Sequence, residues 1–96
     1  MRKKAANVNR SSDRSRDDVK RILALALRKE FPDDTVDISD GYEDNIHILV
    51  VSRKFDELTE AQKQDVLWRI IDRTDLTDAE KSLISLVMPV SPAEIK

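Results

Sequence analysis

Few residues of this 96-residue chain have the chemistry of an active site. The sequence contains no cysteine, one histidine (His47) and one glycine (Gly41). Thiolate nucleophiles, cysteine zinc sites, disulfides and glycine-rich phosphate loops all need residues that this sequence lacks. A lone histidine has no second metal ligand beside it and no evident nucleophile to activate, so we interpret His47 as an ordinary strand residue. The composition therefore predicts a protein that is not an enzyme, and we expect no cofactor.

Carboxylates crowd the segment between residues 33 and 44, where they could act as acid and base or bind a hard cation. Their spacing does not fit an EF-hand, and a domain of this size rarely encloses the deep cleft of a glycosidase. We interpret the cluster as a solvated acidic rim, with weak and nonspecific cation binding as the alternative. Its members are Asp33, Asp34, Asp37, Asp40, Glu43 and Asp44.

The net charge of -2 hides a basic start and an acidic remainder. Residues 1–21 carry eight basic and three acidic side chains, whereas residues 22–96 carry nine and sixteen. Because residues 1–16 contain few large apolar side chains, we predict a disordered basic tail there. Such a tail either keeps the protein soluble or binds nucleic-acid phosphates without sequence preference. The candidate nucleic-acid contacts are Arg2, Lys3, Lys4, Arg10, Arg14 and Arg16.

The longest apolar run, residues 22–27, is far shorter than the roughly 18 residues that a membrane span needs. The first sixteen residues are basic and polar, without the apolar stretch of an export signal. We therefore expect a cytoplasmic protein with no membrane contact.

Three capping patterns predict the helices of a single domain over residues 17–96. An amphipathic helix starts near Ser15, and Pro32 ends it because the residue before a proline avoids helical geometry. A second helix starts at Thr59 and runs to about Arg73. The pattern at residues 77–80 predicts only a short helical turn, since period-two alternation follows almost at once.

Alternating apolar residues predict three strands, over residues 35–39, 45–52 and 82–90. The first two are joined by a hairpin loop at residues 40–44, and a last helical turn begins at residue 91. The predicted fold class is α+β in the order α-β-β-α-(short α)-β. We expect a three-stranded mixed sheet with the helices packed on one face, and the second strand in the centre.

Two segments resemble the signatures of BolA-like proteins. Val50–Thr59 resembles the family's VVS-x-x-F-x-G pattern, which closes a hairpin and opens a helix. Val90–Glu94 is similar to the L-T-P-E-E sequence at the family's end, and the order of elements agrees. The resemblance runs from about Val19 to Ile95 and implies the BolA-like fold, which is similar to a class II KH domain.

The resemblance also implies a protein partner. BolA-like proteins pair with monothiol glutaredoxins, often share an iron-sulfur cluster with them, and in some cases are described as DNA-binding regulators. Their cluster ligands are a Cys or His in the hairpin loop and a His at the start of the last strand. Here the loop offers residues 43–45, Glu-Asp-Asn, and the last-strand position falls on Leu83.

Other family positions also differ. The Arg-His-Arg of the second helix corresponds to residues 63–65, Lys-Gln-Asp, and the signature glycine corresponds to Glu57. Because iron in such clusters takes thiolate or imidazole ligands, we expect a BolA-like domain that does not ligate a cluster. Whether a glutaredoxin binds without a cluster is a separate question.

Our leading hypothesis is therefore a small interaction module that binds another protein. Tyr42, at the loop tip, either contacts the partner or anchors the loop. Trp68 lies at the edge of the second helix's apolar stripe, where it either packs or binds. Phe55 is assigned equally to the core or to the contact surface. With Gln64, the candidate partner-binding residues are Tyr42, Phe55, Gln64 and Trp68.

The alternative hypothesis is a nucleic-acid-binding regulator that uses the basic tail. A KH domain holds nucleotides with a G-x-x-G loop, which a chain with one glycine cannot form. The tail would therefore supply the affinity by electrostatics alone.

Overall fold

A computed structural model of the protein describes residues 14–95. Its helices and strands are α1 (Arg16–Glu30), β1 (Thr35–Asp40), β2 (Ile46–Val51), α2 (Glu60–Asp72), α3 (Asp78–Lys81) and β3 (Ile84–Val90). Three 3-10 turns accompany them, at Tyr42–Asp44, Arg53–Phe55 and Pro92–Ile95. The predicted order of elements is confirmed. Four candidate nucleic-acid contacts, Arg2, Lys3, Lys4 and Arg10, lie outside the described residues.

The helices start at the three predicted capping residues. The Ser15 hydroxyl accepts a hydrogen bond from the backbone N–H of Asp18, and Thr59 and Thr77 each form a reciprocal capping box. In each box the backbone N–H of the capping threonine donates to the side chain three residues later, Gln62 or Glu80. Each box satisfies two backbone donors that the first helical turn leaves without a partner.

The sheet has the order β1-β2-β3, with β1 and β2 antiparallel and β2 and β3 parallel. Ile48 lies opposite Ile38 on one side and Val87 on the other, so β2 occupies the centre. The predicted mixed three-stranded sheet is confirmed. A register irregularity between Ile46 and His47 interrupts the parallel pairing near its start.

The core lies between the two long helices and one face of the sheet. Alternate residues of β2, Ile46, Ile48 and Val50, are fully buried, because their side chains all point to that face. The helices contribute three buried apolar residues each, about one turn or less apart: Val19, Leu23 and Leu27 from α1, and Leu67, Ile70 and Ile71 from α2. The predicted packing of the helices on one face follows from this arrangement.

Two arginines at the start of the described residues form ion pairs. Arg14 Nη2 lies 3.0 Å from Asp75 Oδ2, and Arg16 Nη1 lies 2.8 Å from Asp40 Oδ1. Arg16 is the first residue of α1, and Arg14 lies against the segment between α2 and α3. These two arginines of the predicted tail thus form ion pairs with carboxylates that are distant in sequence and that only the fold brings near.

Candidate functional site

One face of the sheet carries apolar side chains that no element among residues 14–95 packs against. We call it the open sheet face. Its residues alternate along β2 and β3 with the buried residues of the core face. They are His47, Leu49, Val51, Leu86, Met88 and Val90. Leu86 is 41% exposed, and the other five are half-buried. A sheet with one covered and one solvated face normally carries polar residues on the solvated side, so five apolar side chains there are unusual.

Apart from His47, the polar residues of this face belong to β1. By the antiparallel register, Thr35, Asp37 and Ser39 lie beside Val51, Leu49 and His47. The open sheet face is therefore an apolar strip along β2 and β3 with a polar and acidic border on the β1 side. An apolar patch with a polar rim is typical of a surface that binds another protein.

At each edge of the sheet a side chain occupies one backbone carbonyl that another strand would need for pairing. At the β3 edge, Gln64 Nε2 donates to the backbone O of Val87 at 2.9 Å, and Pro89 has no N–H to offer. At the β1 edge, Arg28 Nη2 donates to the backbone O of Val36 at 3.3 Å. A partner is therefore expected to dock on the face rather than to add a strand.

A shallow groove extends the open sheet face beyond β3. Gln64 and Trp68 of α2 line it together with residues 84–87 of β3, and its volume is about 300 Å³. Trp68 is half-buried and packs against the core with part of its ring. Leu86 belongs both to the groove and to the open sheet face, so it joins two of the predicted partner-binding residues to that face.

Tyr42 is the most exposed large side chain of the hairpin, with 79% of its surface accessible. The loop closes through its backbone, since Tyr42 O accepts from Asn45 N at 3.1 Å. Its exposed ring therefore does not anchor the loop, so of the two expected roles of Tyr42, contact with a partner is the one left. It follows Gly41, against which the His47 ring of the open sheet face packs.

His47 explains why residue 41 is a glycine. A Cβ at Gly41 would lie 2.7 Å from Cδ2 of the His47 ring, which is closer than real Cβ atoms approach other side chains. The backbone φ of Gly41 is -101°, an ordinary value, so the close approach and not the backbone conformation requires glycine. His47 is thus a packing residue of the hairpin.

Phe55 is a core residue, and its assignment to a contact surface is wrong. It is 1% exposed, and its ring centroid lies 5.5 Å from that of Phe31. The 3-10 turn Arg53–Phe55, capped by the Ser52 hydroxyl on Lys54 N, turns the ring inward. The polar residues around it gave no periodicity that would have identified it as buried.

α2 carries a buried lysine that no pattern in the sequence predicts. Lys63 is 3% exposed, and its Nζ lies 3.0 Å from Glu60 Oε2 and 2.9 Å from Glu94 Oε1. The bonds to Glu94 and Glu60 raise the pKa of Lys63 above its ordinary value. Glu60 is visible in sequence as an i, i+3 partner, whereas Glu94 lies 31 residues away.

The acidic rim is partly neutralised by α1. Lys20 Nζ and Arg16 Nη1 both lie 2.8 Å from Asp40 Oδ1. The hydrogen bond from Lys20, together with the charge of Arg16, lowers the pKa of the Asp40 carboxyl. Asp40 therefore fixes the start of α1 to the hairpin. Within residues 14–95, no three His, Asp or Glu side chains come together as metal ligands would.

Comparison with protein-family models, with curated proteins and with solved structures finds no match for this chain. None of the helices in the described part of the chain has the length and apolar character to cross a membrane. The fold and the geometry of the surface are therefore the observations that bear on function.

Proposed function

We propose that this protein is a small BolA-like interaction module that binds another protein and catalyses no reaction. The observation that carries the proposal is the open sheet face, an apolar strip along β2 and β3 bordered by the polar residues of β1. Leu86, Trp68 and Gln64 extend this surface toward α2, and exposed Tyr42 stands at its hairpin end.

The BolA-like part of the proposal has independent support in the segment after β2. Val50–Thr59 closes the hairpin and opens α2, as in the family's signature. Glu57, where that signature has glycine, has a φ of 68°, in the left-handed region that glycine adopts most easily. The backbone thus has the shape that the signature glycine would favour, although the side chain differs.

The proposal excludes a shared cluster. At the family's ligand positions this chain has residues 43–45 and Leu83, none of which is a thiolate or an imidazole. Leu83 packs against the core, and its backbone O accepts from Ile46 N at 2.8 Å. A monothiol glutaredoxin is the first partner to test, and we expect any complex to be colourless.

Two of the six candidate nucleic-acid contacts are engaged within the domain. Arg14 pairs with Asp75 and Glu80, and Arg16 pairs with Asp40. Residues 14–95 carry twelve basic and eighteen acidic side chains, a balance that repels a phosphate backbone. These observations favour protein recognition over nucleic-acid binding.

An affinity capture from native lysate separates the two functions. Three baits are compared: the full chain, a variant without residues 1–13, and the full chain with Trp68→Ala. We expect the first two to recover the same defined protein and Trp68→Ala to lose most of it. Recovery of nucleic acid that depends on residues 1–13, with a salt slope that disappears on their deletion, would instead support the alternative.

A further inference from the structure

The helix layer, on the other side of the sheet, contains a second surface with a different character. Two adjoining hollows of about 360 and 180 Å³ lie between α1 and α2, and they share Glu30, Ile70 and Arg73. We call them the helix groove. Their apolar lining includes Ala26, Val66 and Ile70, with Leu25, 66% exposed, at one side.

The rim of the helix groove is cationic. Lys29 and Arg73 line the larger hollow, and Lys54, Arg69 and Arg73 line the smaller one, against the single carboxylate of Glu30. The surrounding domain is acidic, with eighteen acidic and twelve basic side chains in residues 14–95. Positive charge is therefore concentrated beside an exposed leucine, Leu25.

Most other cations of the domain are already paired. Six of the basic residues in the described range form ion pairs with carboxylates: Arg14, Arg16, Lys20, Arg21, Lys63 and Lys81. The other six have no such partner within residues 14–95: Arg28, Lys29, Arg53, Lys54, Arg69 and Arg73. Arg28 and Lys54 donate to backbone carbonyls instead. Of the remaining four, Lys29, Arg69 and Arg73 line the helix groove, so their charge is available to a ligand.

Helix dipoles explain part of this arrangement. Lys29 and Arg69 lie in the last turns of their helices, and Arg73 caps α2, where positive charge is favourable. That effect accounts for a cation at each helix end. It does not account for Leu25, an exposed leucine beside those cations, or for Lys54, which comes from the turn after β2.

We propose that the helix groove binds an acidic amphipathic helix of a partner protein. The groove follows α1 from residue 25 to 31 and α2 from residue 66 to 74, which corresponds to about two helical turns. Leucine-type anchors at i, i+3 and i+7 would lie over Ile70 and Leu25, and flanking carboxylates would meet Lys29, Arg69 and Arg73.

The floor of the groove favours a peptide over a nucleic acid. No aromatic ring is presented for base stacking, because Phe31 and Phe55, which line the smaller hollow, are 2% and 1% exposed. The acidic surface around the groove would also repel a phosphate backbone longer than the groove itself.

The proposal goes beyond the protein-binding function assigned to the open sheet face, and it is tested separately. The probe is a fluorescein-labelled synthetic helix of about 18 residues, with Leu on one face and Glu on the other. Its binding to the full chain is followed by fluorescence anisotropy. Matched probes carry Lys in place of Glu, or Ser in place of Leu.

We expect the Leu/Glu helix to bind best, with an affinity that falls as salt rises. Arg69→Glu combined with Arg73→Glu should weaken binding about tenfold or more, and Leu25→Ser should weaken it as well. Arg53→Glu, at another exposed cation that lies outside the groove, should leave binding unchanged, as should Leu86→Ser on the open sheet face. Circular dichroism and urea unfolding of each variant check that the domain is folded.

Three results would overturn the proposal. The first is equal binding of the Glu and Lys probes, and the second is an equal loss with Arg53→Glu. The third is self-association of the full chain that Arg69→Glu with Arg73→Glu abolishes, since it would assign the groove to a second copy. None of these results bears on the open sheet face, for which Leu86→Ser is the test.

Discussion

Lys63 Nζ lies 2.9 Å from Glu94 Oε1, and this pair fixes the C-terminal turn to the first turn of α2. The same carboxylate oxygen accepts from the backbone N of Ser91 at 2.7 Å. Ser91 in turn donates from its hydroxyl to Asp56, beside the start of α2. The turn Pro92–Ile95 is thus held by one buried lysine and a short series of hydrogen bonds.

This pair predicts a dependence of stability on pH at both extremes. The Lys63 bond lowers the pKa of Glu94, so its stabilisation is complete above the ordinary glutamate value of 4.5 and is lost as pH falls through the lowered pKa. The pKa of Lys63 is raised, so its stabilisation is complete below 10.5 and is lost as pH rises through the raised pKa. Urea unfolding across a pH series measures both limbs.

Glu94→Gln should flatten the acid limb, because the neutral amide has no carboxylate to protonate. Glu43→Gln is the control, since Glu43 is an exposed hairpin carboxylate without an ion pair among residues 14–95. An acid limb that Glu94→Gln and Glu43→Gln change equally would show that the pair does not govern it.

Glu57→Gly should stabilise the domain by about 1 kcal/mol. Glu57 has a φ of 68°, and a left-handed conformation costs a residue with a Cβ roughly 1–2 kcal/mol. Part of this gain is offset by the greater freedom of glycine in the unfolded chain. Ala61→Gly, in the first turn of α2, should lower the free energy of unfolding instead, by about 1 kcal/mol. A loss of stability in Glu57→Gly would contradict the backbone conformation.

Gly41→Ala should destabilise the hairpin by about 1–3 kcal/mol, because the new methyl group meets the His47 ring. Combining it with His47→Ser removes the clash, so the double variant should lose less than the sum of the single variants. A double-mutant cycle in urea measures this coupling. Additive losses would mean that His47 is not what requires the glycine.

Phe55→Ala should cost about 3–5 kcal/mol of unfolding free energy, as expected for a large side chain in the core. Trp68→Ala, at a half-buried position, should cost less. Thermal and urea unfolding of both variants check the order. Nearly unchanged stability of Phe55→Ala would contradict the assignment of Phe55 to the core.

Local signals explain what the sequence could predict. The capping residues Ser15, Thr59 and Thr77 act within three residues of themselves, so a short window identifies each helix start. The alternation from Ile46 to Val51 is equally local, and its apolar residues on both sides placed β2 in the centre of the sheet.

Long-range partners explain what the sequence could not predict. The bonds of Lys63 to Glu94 and of Arg14 to Glu80 join residues 31 and 66 positions apart. Trp68 and Leu86 share a groove only because α2 lies along β3. Phe55 is buried by a single 3-10 turn, which is too short to produce a periodic pattern.

The central claim is that the open sheet face is the contact surface for a protein partner. Its most direct test is the dissociation constant of the captured partner for the full chain, for Leu86→Ser and for Ile95→Ser. Both variants replace an exposed aliphatic side chain with serine, one on the open sheet face and one in the C-terminal turn, outside both proposed surfaces. We predict that Leu86→Ser weakens binding about tenfold and that Ile95→Ser leaves it within about twofold. Equal affinities for the wild type and Leu86→Ser would contradict the account.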